Sequence, residues 1–177
     1  MPCSSRSPVG TISPVRTEIG PKPAPTMAAF SSRGPNIIAP QILKPDITAP
    51  GVDILASNSE ATLFAISTDR NATLPFIAMS GTSMSCPHVA GVMGLLRKLY
   101  PNWSPAAIRS TIMTTAKRLA AASTRTTPGK PIKDADKEEA TPFAYGSGHI
   151  QPDLAVEPGL VYDMDVGDYL TFLCSYG

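Results

Sequence analysis

Ser83 sits in the stretch AMSGTSMSCPHVAG, residues 78–91, between a glycine-led polar turn and a run of small residues. A serine hydroxyl becomes a nucleophile only when a neighbouring base takes its proton. A place at a helix N-terminus helps in a second way. The first backbone N–H groups of a helix lack an intrahelical partner, and the helix dipole favours negative charge there. An oxyanion forming beside Ser83 would meet the Ser83 N–H already oriented as a donor. Gly81 lets chain and substrate approach with no side chain in the way. Strand, Gly-Thr-Ser turn and helix together make an arrangement suited to acyl transfer. A serine at a helix start also has a plain structural use as an N-cap, and position alone favours that use. Spacing excludes two other chemistries. A nucleophile elbow reads G-x-S-x-G, whereas this chain has Gly81-Thr82-Ser83-Met84-Ser85. A phosphate loop needs a lysine after its second glycine, and none follows here.

A base must then be found. The chain holds two histidines, His88 and His149. His88 lies five residues after Ser83 on the same expected helix. Five steps of about 100° leave the two side chains about 140° apart, with about 7.5 Å of rise between them. His88 is therefore read as structural. His149 falls in the turn YGSGHIQP, and Asp46 and Asp53 fall in KPDITAPGVD as turn or strand-end residues.

The elements that would position Ser83 follow from pattern. Residues 21–25, PKPAP, read as an extended connector. TMAAFSSRGPN reads as a short apolar strand running into a Gly34-Pro35 turn. ILKPDITAPGVDILAS holds two β-branched runs bounded by Pro45 and the Pro50-Gly51 turn. LPFIAMSGTS predicts a strand over 74–79 entering a tight turn. A helix is expected from Ser83 to about Lys98. Val89, Val92, Met93, Leu95, Leu96 and Leu99 make it apolar on several faces, which predicts burial all round. Gly91 and Gly94 cost it about 1 kcal/mol each against alanine, an expense that close approach of a neighbouring element would offset. A second helix starts at Ser104, a good N-cap, with Pro105 at its first position. Ile108, Ile112, Thr115 or Ala116, and Leu119 share one face of it. DLAVEPGLVYD reads as a short helix or turn, a Pro158-Gly159 turn and a strand start, and DVGDYLTFLCSYG as one or two helical turns. Strands and helices mix, and one helix follows its strand directly, so the class is α/β.

The totals narrow the function classes. With 177 residues, 42% of them hydrophobic, the chain has the length and composition of one folded domain. Lys plus Arg is 15 and Asp plus Glu is 14, so charge calls for neither nucleic acid nor an anionic membrane. No apolar run is long enough to span a bilayer. Cys3, Cys86 and Cys174 make an odd count without CxxC or zinc spacing. The first twenty residues lack the apolar core of a secretion signal. Asn71-Ala72-Thr73 is an N-glycosylation sequon, usable only on a secreted chain.

SGTSMSCPHVAGVMGLL, residues 80–96, resembles the serine motif of the subtilisin-like serine proteases, the subtilases (peptidase family S8). The likeness continues on both sides. AAFSSRGPNIIAPQILKPDITAPGVDILAS resembles the plant-type members ahead of that serine, and YPNWSPAAIRSTIMTTA the helix pair after it. ATPFAYGSGHIQPDLAVEPGLVYD and DYLTFLC resemble the plant-type end of the catalytic domain. Several long motifs in order, over residues 10–177, make the resemblance specific.

The resemblance implies serine-type endopeptidase activity with Ser83 as nucleophile and its backbone N–H as an oxyanion donor. It implies protein or peptide substrates and no cofactor or metal. Nucleic acid and membrane are not expected partners. It also implies the C-terminal part of an α/β fold, a parallel sheet with helices on both faces. Residues 1–24 are expected to be an irregular segment and connector, 25–160 the C-terminal half of the catalytic domain, and 161–177 the start of a fibronectin-III-like β domain. Family members carry the triad aspartate in a D-T-G or D-S-G motif and the base in H-G-T-H, both ahead of the serine, and an oxyanion asparagine in a G-N-S-G segment. None of these occurs in this sequence. The expectation is a fragment that carries the nucleophile and is inactive alone; a non-catalytic truncated product or a complementing fragment is the alternative. Family members are typically secreted to the plant cell-wall space, the apoplast, so an extracellular place is expected from the resemblance.

Overall fold

The computed structural model describes residues 25–59, 75–117 and 131–176. Two strands come first, β1 (Ile54–Ser57) and β2 (Phe76–Met79). They pair antiparallel, from Ile54 opposite Met79 to Ser57 opposite Phe76. The α/β class expected from the sequence is present, yet the sheet among the described residues is this two-stranded antiparallel ladder. Among the described residues, parallel pairing appears only as isolated bridges, Thr26 with Lys133 and Thr48 with His149. The apolar strand expected at TMAAF is reduced to the Thr26 bridge, since the chain turns at Ala28, whose carbonyl accepts from Ser31 N–H.

Helix α1 (Thr82–Leu99) leaves β2 after a two-residue turn. It runs one residue beyond the expected span at each end. Helix α2 (Pro105–Thr114) starts where the sequence places it. Ser104 is the N-cap, its Oγ accepts from the Ala107 N–H at 2.9 Å, and Pro105 occupies the first position, where its missing N–H costs nothing. Such a cap contributes about 1 kcal/mol. Two four-residue helices follow, α3 (Pro142–Tyr145) and α4 (Pro152–Ala155), each again opened by a proline. Helix α5 (Val166–Cys174) is longer than the one or two turns expected. Its start is held by a capping box in which Asp165 Oδ1 accepts from Asp168 N–H and Asp168 Oδ2 accepts from Asp165 N–H. No strand forms at 160–163.

The main core gathers Leu96 of α1, Ile108 and Ile112 of α2, Ile150 just ahead of α4 and Ala155 within it. Val89, Val92, Met93 and the stacked pair Tyr100–Trp103, 4.1 Å between ring centres, close over it. A smaller cluster joins Met27, Ile132, Ala140 and Ala144. The expectation that α1 is buried all round is not met: Leu96 is its one fully buried residue among those described. The reason is geometric. One face, through Val89, Val92, Met93 and Leu96, packs on the core, while Ala90, Gly91, Gly94, Leu95 and Leu99 on the other are exposed, with no described residue within 4 Å of a Cβ placed on either glycine.

Candidate active site

Ser83 is the second residue of α1, and the N-cap is Gly81, whose φ of 164° is ordinary extended backbone. No side chain caps this helix. Ser83 therefore does not act as the N-cap that its position in the sequence favours. Its side chain is exposed and its hydroxyl has no hydrogen-bond partner among the described residues. The Ser83 N–H is one of the first-turn donors that an α-helix leaves unpaired. Pro87 lies inside α1 and offers no N–H to the carbonyl four residues back, which is that of Ser83. The serine thus stands in the first turn, with its carbonyl deprived of the usual donor four residues on.

Segment 49–53 braces this turn. Gly81 N–H donates to the Gly51 carbonyl at 2.8 Å, and Ser85 Oγ donates to the Ala49 carbonyl at 3.0 Å. Asp53 N–H donates to Ser80 Oγ at 2.8 Å, and Ser80 Oγ donates in return to Asp53 Oδ1 at 3.2 Å. Between the Ile54–Met79 pair and the Gly51–Gly81 bond, the segment leading into β1 carries one residue more than its partner. Two residues opposite one is a β-bulge, and Asp53 in it has φ +50°. Sequence reasoning missed this brace. Its faint signal is an aspartate two residues after Pro50-Gly51, since aspartate tolerates left-handed backbone better than most residues.

The titratable candidates lie apart from the serine. His88 Nδ1 bonds the carbonyl of Met84, one turn back on its own helix, at 2.7 Å. That bond holds the ring against its own helix. His149 is half-buried, with Nδ1 3.1 Å from the Ile150 carbonyl, while its backbone pairs with Lys117. It lines a cavity of about 280 Å³ with Met27, Thr48, Thr82 and Ser85, but Ser83 does not reach that cavity. Asp46 is a structural ion-pair hub, bonded to Lys44 at 3.0 Å and to Arg109 at 2.7 Å. Asp53 belongs to the brace. Neither histidine nor either aspartate is thus brought to the Ser83 hydroxyl. Among the described residues no group of His, Cys, Asp and Glu could hold a metal ion, and no helix is long and apolar enough to cross a membrane. Cys86 and Cys174 are free thiols. Asn71, Leu119, Cys3 and the PKPAP connector lie largely or wholly outside the described residues.

Burial pushes the His149 imidazole below its ordinary pKa of 6.5, and the bond to the Ile150 carbonyl offsets part of that. The folded form therefore favours neutral His149. As pH falls through 6.5, the unfolded chain gains a proton that the folded chain refuses, so stability drops and levels off only below the folded pKa. His149→Gln in the complete domain is expected to flatten the fall in melting temperature between pH 7.5 and 5. An unchanged slope would assign that fall to other groups.

Comparison with known proteins agrees with the motifs. A family model described as the subtilase family, Peptidase S8, matches residues 7–148. The subtilisin-like protease SBT5.3 of Arabidopsis thaliana is 56% identical over 173 residues, which is 98% of this chain and 22% of that protein. The subtilisin-like protease Glyma18g48580 of Glycine max is 56% identical over 168 residues, 94% of this chain and 20% of that protein. The chain thus spans about a fifth of the length of the curated relatives it matches. Among solved structures, fervidolysin from Fervidobacterium pennivorans, a keratinolytic enzyme related to subtilisin, aligns at 24% identity with a TM-score of 0.43, over 65% of this chain and 15% of that one. On the family match and the identity to plant relatives, the chain belongs to the subtilase family.

Proposed function

We propose that this chain is the nucleophile-bearing part of a serine endopeptidase, with Ser83 as nucleophile, and that it is inactive by itself. The observation that carries this reading is the setting of Ser83: exposed, with an unpartnered hydroxyl, in the first turn of α1 rather than capping it. In the reaction, Ser83 Oγ attacks the carbonyl carbon of a peptide bond. The new C–O bond forms as the hydroxyl proton passes to a base, and the base returns that proton to the leaving amine as the C–N bond breaks. Water then hydrolyses the acyl-enzyme. The Ser83 N–H donates to the oxyanion in both steps. In this reading the base and its orienting carboxylate come from residues outside these 177, because neither His88 nor His149 is hydrogen-bonded to the Ser83 hydroxyl and each ring is held through Nδ1 at another backbone carbonyl.

That neither histidine bonds the Ser83 hydroxyl also supports the second reading, a complementing fragment that assembles with an N-terminal half. Residues 161–177 are read as the lead into a following β domain, and 1–24 as a connector. An extracellular place in plant tissue and glycosylation at Asn71 belong to this reading. Protein or peptide chains are its substrates.

The test is hydrolysis of a fluorogenic peptide by the chain mixed or fused with the N-terminal half of a subtilase catalytic domain. Activity that rises from background and is lost at least ~10⁴-fold in Ser83→Ala is expected. Activity that survives Ser83→Ala overturns the assignment.

A further inference from the structure

The Ser80–Asp53 pair is the one reciprocal side-chain clamp at the entrance to the candidate site among the described residues. Both residues are exposed, so their bonds exchange with water and add little to stability. What they fix is direction. β2 ends at Met79, and Ser83 begins to act only four residues later. Over that span the chain must leave the ladder and start a helix with the serine facing outward. A bulge bends its strand and re-aims the side chains beyond it. Here the bulged segment places Asp53 at φ +50°, a left-handed conformation uncommon outside glycine, which aspartate adopts more readily than most residues and which local hydrogen bonds help to hold. Ser80 supplies two of them, accepting from the Asp53 N–H and donating to its carboxylate. One residue on, the Gly51 carbonyl fixes the Gly81 N–H.

We propose that Ser80 and Asp53 are positioning residues for Ser83, locking the bulge so that the Gly81-Thr82-Ser83 turn presents the nucleophile in one orientation. The proposal rests on the reading of Ser83 as nucleophile. Neither residue touches the reacting atoms; both act through the path of the backbone.

The experiment follows covalent labelling of Ser83 by a fluorophosphonate in the chain complemented by its N-terminal half, with the maximal rate and the half-saturating concentration separated. Ser80→Ala is expected to lower the maximal labelling rate by about ten- to a hundredfold, the scale of a misplacement near 1 Å, while half-saturation and melting temperature stay near parental values. Asp53→Gly keeps a residue suited to positive φ but removes the carboxylate, and it should show the same rate loss. Asp53→Asn keeps an acceptor for the Ser80 hydroxyl and should restore labelling. Parental labelling rates in Ser80→Ala and Asp53→Gly, or a rate loss matched by a fall in folded protein, overturn the positioning role alone. Absence of labelling in the parent, or labelling that survives Ser83→Ala, overturns the nucleophile reading and the positioning role with it.

Discussion

Gly51→Ala is expected to destabilise the complete domain by about 1–3 kcal/mol and to depress Ser83 labelling in the molecules that remain folded. A Cβ at Gly51 would lie 2.2 Å from Ser85 Oγ and 2.9 Å from the Gly81 carbonyl oxygen. The serine hydroxyl can rotate away, but it then gives up its 3.0 Å bond to the Ala49 carbonyl. The Gly81 carbonyl is backbone and accepts from Met84 N–H in the first turn of α1, so it yields only if the helix start moves. The substitution therefore pushes on the element that carries the candidate nucleophile. Gly91→Ala is the informative contrast, since no described residue lies within 4 Å of its added methyl. Urea midpoints of the two variants read the difference. Equal midpoints would mean that segment 49–53 gives way freely and is no brace.

The isolated 177-residue chain is expected to self-associate and to bind a hydrophobic dye strongly. Leu95 on α1 is 66% exposed, Leu55 on β1 71% and Leu170 on α5 56%, while the fully buried apolar side chains of the described residues form two small clusters. Each exposed leucine forgoes up to roughly 1.5–3 kcal/mol of burial, and exposed large apolar side chains favour association. The two-stranded ladder adds unpaired strand edges, which pair with other chains. Sedimentation and dye binding measure this directly. A monomer with a sharp cooperative melt would contradict it.

How much of this was legible in the sequence depended on whether local chemistry decided the outcome. The start of helix α2 was legible to the residue because Ser104 and Pro105 are start signals that need no tertiary help; its end was not, since the helix stops at Thr114, short of Thr115 and Ala116, which the sequence places on its face. The strand before Ser83 and the helix after it were legible from hydrophobic pattern and a glycine turn. The burial of α1 was not, because an apolar residue says that a side chain favours cover, not that cover lies within the same residues. Leu95 and Leu96 are neighbours of equal hydrophobicity, and only Leu96 is buried. The antiparallel partner of β2 was not legible, since pairing between distant segments leaves no local mark. Nor was the Asp53 bulge, whose cause is a hydrogen bond to Ser80, 27 residues away in sequence. The cap of α5 was overlooked because Asp165 and Asp168 form the box with two aspartates in place of the serine–glutamate pair. Of the candidate site, Ser83 was legible through the resemblance of its motif and the exclusion of His88 through helical spacing; the brace beside the serine required the structure.

The central claim is that Ser83 is a nucleophile whose base lies outside these 177 residues. Fluorophosphonate labelling of the isolated chain, beside Ser83→Ala and beside the chain complemented with an N-terminal half, tests it most directly. Such probes react with a serine that a base has activated. No labelling of the chain alone, and labelling on complementation that Ser83→Ala abolishes, is the predicted result. Labelling of the folded chain alone that disappears in Ser83→Ala would place a working base within this sequence and contradict the account.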